Sequence, residues 1–147
     1  MIAAIIARDH AAGQELFADA GNATQPAWDE RGDSMGALAR LWEEHGTLLE
    51  RAVFPHLGGA GAESLVGTLR NQQRRVADLA HALSRRAADK GGDRHWLTDF
   101  EELKALFDAQ CLCEMTELIT HIGDRVAPDV MAEMTRQARA LRRADRS

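Results

Sequence analysis

Five polar side chains fall on the apolar stripes of predicted helices: His10, His45, Gln73, Gln110 and Glu114. A buried core tolerates such groups only when they bind one another, water or a metal. His10, His45 and Glu114 make a two-histidine, one-carboxylate donor set for one divalent metal, with Gln73 and Gln110 as outer donors. The same five can satisfy each other with no ion, because a glutamine amide donates and accepts at once. A third use of the space is a small ligand that the polar groups orient. Spacing adds that the chain reads as two similar halves: His10 and His45 are 35 apart, Gln73 and Gln110 are 37 apart.

Other histidines carry less chemistry. His121 lies seven residues after Glu114, on the same stripe, and would extend the polar core two turns further or sit there as a satisfied core residue. His81, eight after Gln73, reads the same way, while His56 and His95 stand in loop contexts. Cys111 and Cys113 are two apart in a helical run, point to different sides and cannot bridge, so they read as small core residues. Gly58-Gly59-Ala60-Gly61 lacks the lysine and the preceding strand of a phosphate loop. No Ser-His-Asp arrangement, haem motif or acid–base pair is legible, so catalysis is not expected.

Four long helices must position the five residues. The first runs from about Ile2 to Ala20, with Ile2, Ile5, Ile6, Gly13, Leu16 and Phe17 inward and Gly21-Asn22 as its stop. A polar loop over Ala23–Gly32 precedes a second helix capped by Asp33 or Ser34 and closed by Phe54-Pro55. The third spans Ala62–Ala88, where Gln73 shares the face of Leu69 and Val76, and Lys90-Gly91-Gly92 ends it. Thr98-Asp99-Phe100-Glu101 matches a capping box that starts the fourth, which turns Leu103, Phe107, Gln110, Glu114 and Leu118 inward. Pro128 opens a short amphipathic fifth segment. The pattern predicts a single all-α domain over residues 1–147, an antiparallel up-down four-helix bundle with a short C-terminal fifth helix.

Composition agrees: 45% apolar, seven aromatics and little β-branched material favour helix. A net charge of −5 argues against general nucleic-acid binding. No apolar run reaches membrane-span length and no signal peptide is visible, so a cytoplasmic location is expected. Arg136, Arg139, Arg142, Arg143 and Arg146 in the tail read as a solvated face or a surface for an acidic partner.

The chain resembles the hemerythrin-like domains, also called His-His-Glu cation-binding domains, four-helix bundles that usually hold two non-haem irons. Asp9-His10 looks like their first-helix Asp-His, and His45 with Glu50-Arg-Ala-Val-Phe-Pro55 looks like their second-helix signature. Gln110-Cys-Leu-Cys-Glu114 has the spacing of their fourth-helix His-x-x-x-Glu, and Leu141-Arg-Arg143 is similar to their basic end. The resemblance covers nearly the whole chain, yet its ligand set is incomplete. Leu49 stands where the family carries the second-helix carboxylate, Gln73 and Ala77 where the third helix carries histidines, and Gln110 where the fourth carries another. Glu50 is one residue late, about 140° around the helix from His45, and would turn inward only through a π-bulge. Of seven ligand positions three remain: His10, His45 and Glu114.

The expectation is therefore a binding or regulatory module whose two-iron site has largely decayed to a metal-free polar core. The alternative is one iron or zinc held by His10, His45 and Glu114, sensing or reacting with a small gas or peroxide. Expected partners are a small ligand, another protein or a second copy of this chain, with neither nucleic acid nor membrane.

Overall fold

The computed structural model describes residues 1–22, 28–89 and 95–146 (backbone only at Asn22 and Asp89) and is all-helical, with no strand among the described residues. Its helices are α1 (Ile2–Asn22), α2 (Trp28–Leu48), α3 (Ala62–Arg86), α4 (Trp96–Cys113), α5 (Ile119–Arg125) and α6 (Pro128–Asp145). Two π-helical turns, Leu49–Val53 and Glu114–Leu118, continue α2 and α4. No described helix is long and apolar enough to cross a membrane.

Two apolar clusters organise the packing. One gathers Ile2 and Ile6 of α1 with Leu48, Leu49, Leu69, Leu118, Ile122 and Met134. The other gathers Phe17 of α1 with Leu38, Trp42, Val76, Leu83, Leu103 and Phe107. His10, His45 and Gln73 lie between the two along the sequence of their own helices, and Gln110 and Glu114 flank the crossing point on the fourth, so each long helix changes cluster close to its polar residues. Cys111 joins the second cluster and Cys113 the first, both as free thiols, as their two-residue spacing requires. Close approach of α1 to α4 depends on Gly13, where an added Cβ would lie 2.5 Å from the Phe107 ring.

Three boundaries differ from the pattern reading. α2 begins at Trp28, ahead of the expected caps Asp33 and Ser34. Tertiary contacts outweigh the local turn signals: Trp28 meets Trp96 edge-on at 5.5 Å, and the buried Arg31 guanidinium lies over both rings. α4 likewise starts at Trp96, whose indole donates to the Leu83 carbonyl at 2.8 Å. Thr98 is thus already helical, and Asp99 pairs with Arg86 at 2.7 Å instead of serving a capping box. The expected short fifth helix corresponds to α6, which has 18 residues, as many as α4. The Lys90-Gly91-Gly92 stop and positions 23–27 of the expected loop lie outside the described residues.

Candidate functional site

Glu114 is fully buried and takes three hydrogen bonds. His10 Nε2 lies 2.8 Å and His45 Nε2 2.7 Å from Oε1, and Gln110 Nε2 donates to Oε2 at 2.8 Å. The donor atoms of His10, His45 and Glu114 all lie within 4.8 Å of one another, so the structure brings the three expected ligands together. The glutamines join them. Gln110 Nε2 also donates to Gln73 Oε1 at 2.8 Å, Trp42 Nε1 donates to Gln110 Oε1 at 2.8 Å, and Gln73 Nε2 donates to the Trp42 carbonyl. Every amide atom of Gln110 and Gln73 therefore has a partner.

Behind His45 stands a residue that pattern reading did not place in the site. Asp9 is 6% exposed, its Oδ2 lies 2.7 Å from His45 Nδ1, and Arg142 of α6 donates to the same oxygen. Asp9 had a local signal, since it adjoins His10 at the level of the site. Arg142 had none, because periodicity does not say where a sixth helix docks. Trp42 lies three positions before His45 and stacks on that imidazole at 4.4 Å. Gly46 is equally specific, since an added Cβ would lie 2.7 Å from Gln73 Nε2.

Both ring nitrogens of His45 face carboxylate oxygens, so the ring satisfies both only when doubly protonated. Burial opposes the charged ring, but the Glu114 charge and the bonds to Asp9 and Glu114 outweigh it and bring its pKa up to about 9. Burial likewise opposes the Glu114 carboxylate, yet the His45 charge and the histidine bonds hold it down at about 2. The negative Asp9 and Glu114 are thus matched by the positive His45 and Arg142. Burial, with Glu114 and Asp108 nearby, drives the Cys111 thiol far above its usual range. Burial and the bond to Glu117 push Cys113 up to about 12, leaving neither thiol nucleophilic.

Three expectations need correction or refinement. His121 does not join the polar core: its Nε2 meets the Gly58 carbonyl at 2.8 Å near the surface. The Glu114–Leu118 π-turn takes up an extra residue and rotates everything beyond it by roughly 100° from the α-helical stripe. His81 is also outside, paired with Glu43. A π-turn does form at Leu49–Val53, but it leaves Glu50 at the surface, bonded to Arg70 at 2.6 and 2.9 Å. Leu49 packs in the core instead, 1% exposed.

The site can hold a proton network among four helices, or offer two imidazole nitrogens and a carboxylate to one cation. No family model, curated protein or solved structure matches this chain.

Proposed function

We propose that this chain is a hemerythrin-like bundle in which a metal-free, charge-balanced hydrogen-bond network replaces the two-iron centre. It acts as a binding or regulatory module, without turnover. The order in which the helices cross the two apolar clusters supports an antiparallel up-down arrangement. α1 runs from the Ile6 cluster to the Phe17 cluster, α2 from Leu38 to Leu48, α3 from Leu69 to Leu83, and α4 and its continuation from Phe107 to Leu118. Each helix reverses the direction of the one before it.

The observation that carries the metal-free reading is His45, which has a carboxylate on each ring nitrogen. A proton on Nε2 gives the site the positive charge that Glu114 requires, and the glutamines leave no amide atom for an ion. Two trivalent irons do not fit this donor set. They need bridging carboxylates and more imidazoles, and here they would bury a large unbalanced charge beside one carboxylate. Protein purified from metal-replete medium is expected to carry less than about 0.2 metal per chain. Stoichiometric iron or zinc would overturn this reading.

One observation favours a second reading with a single iron or zinc. The His10, His45 and Glu114 donors already converge, and Asp9 behind His45 is the kind of carboxylate that orients a metal-binding imidazole. On that reading His45→Ala and Glu114→Ala each abolish the bound metal; unchanged metal content in both would end it.

A further inference from the structure

We infer that the cleft bounded by α1, α2 and α6 binds a small organic anion carrying a phosphate group. The cleft measures about 490 Å³, small-molecule size, and five arginines line it: Arg8, Arg139, Arg142, Arg143 and Arg146. Two carboxylates, Asp9 and Glu44, line it as well, and Asp145 pairs with Arg142 at 3.1 Å, so five arginines against three carboxylates leave a surplus of two positive charges in a chain whose total is −5. Asp9 is already committed to His45 and Arg142. Arg8, Arg139 and Arg146 pair with no carboxylate among the described residues.

The sequence builds this cluster on purpose-suited geometry. Arg139 and Arg143 are four residues apart and so share one face of α6, and Arg146 follows as the residue that ends the helix. Placing like charges one turn apart costs a helix a few tenths of a kcal/mol. An anion seated between them removes that repulsion, and guanidinium forks match phosphate oxygens two at a time. Half-buried Ile5 and Leu41 give one wall an apolar surface, which suits an organic body attached to the phosphate. A concave pocket in an acidic protein favours a soluble small anion over an extended polyanion.

The inner wall of the cleft is Arg142, which bonds Asp9, which in turn bonds His45. Occupancy therefore reports to the polar core through two hydrogen bonds. This site stands whether or not the core holds a metal, because none of its arginines is a candidate ligand.

Phenyl phosphate is the probe, titrated into the full chain at low salt and followed by calorimetry and by NMR of the histidine rings. Saturable binding in the sub-millimolar range is expected, weakening as salt rises. The Arg139→Gln/Arg143→Gln double variant should bind about tenfold more weakly with unchanged circular dichroism, while Arg74→Gln, outside the cleft, should bind like wild type. His45 ring signals should shift on binding, and those of exposed His81 should not. No saturation by about 10 mM, or equal affinity in the double variant, would overturn the proposal. Capture by phosphatidic acid vesicles without binding of phenyl phosphate would overturn it too, by making this face a membrane contact.

Discussion

Glu114→Gln removes the negative centre of the core while keeping its shape. Three donors converge on that carboxylate at 2.7 to 2.8 Å, and each bond to a charged group contributes about 1.5–3 kcal/mol. These do not simply add, because the donors find partial substitutes once the carboxylate is neutral. The dominant loss is the stranded charge: His45 is fully buried and keeps only Asp9 as counter-ion. Breaking a buried pair from one side costs about 3–5 kcal/mol, a large share of the 5–15 kcal/mol that holds a typical domain together. The new amide adds a conflict. If its oxygen accepts from the histidines, its NH₂ faces Gln110 Nε2, donor against donor. Turning Gln110 over would then break its bonds to Trp42 and Gln73. At an m-value of about 2 kcal/mol/M, the urea midpoint should fall by about 2 M. His45→Leu with Glu114→Leu should cost clearly less than the two single changes summed, with coupling of about 2–3 kcal/mol. A loss under about 1 kcal/mol for Glu114→Gln, or additive single changes, would refute the charge-balanced core.

Stability of the metal-free protein should depend on pH through the same pair. The His45 pKa is raised from 6.5 to about 9, so its contribution is complete below about 6.5 and is lost as pH rises through about 9. The Glu114 pKa is depressed from 4.5 to about 2, so its contribution is present above about 4.5 and is lost as pH falls through about 2. Urea unfolding should therefore show a plateau near pH 4.5–6.5 and a decline on the order of 3 kcal/mol by pH 9, absent in His45→Leu; a flat wild-type profile would contradict it. Gly46→Ala puts a Cβ 2.7 Å from Gln73 Nε2 and should cost about 1–3 kcal/mol by displacing that amide, which calorimetric melting would read. Leu49→Glu, Gln73→His, Ala77→His and Gln110→His together should restore two irons per chain if the backbone keeps hemerythrin-like geometry; elemental analysis without iron would mean the helices have shifted.

Much of this site was legible because helical period is a strong constraint. His10, His45, Gln73, Gln110 and Glu114 each fall on a stripe of leucines and isoleucines, and packing those stripes inward forces the five together. Where the prediction failed, period had been broken or overruled. His121 was carried forward along an α-helical stripe across a π-turn, which nothing in Glu114-Met-Thr-Glu-Leu118 announces. The start of α2 was set by Gly32, Asp33 and Ser34, but Trp28 and Arg31 gain more from packing on Trp96 than the turn residues gain locally. Asp9 and Arg142 needed knowledge of how α6 lies against α1, and contacts between elements far apart in sequence leave no periodic trace.

The protonation state of His45 tests the metal-free, charge-balanced core most directly, and nitrogen NMR of the ring measures it. Both Nδ1 and Nε2 should carry hydrogen at pH 7.5, each shifted by its carboxylate, and should remain so until pH approaches about 9. A ring with one bare nitrogen at pH 7.5, its signal moving when chelator is added, would mean that a metal occupies the place assigned to a proton.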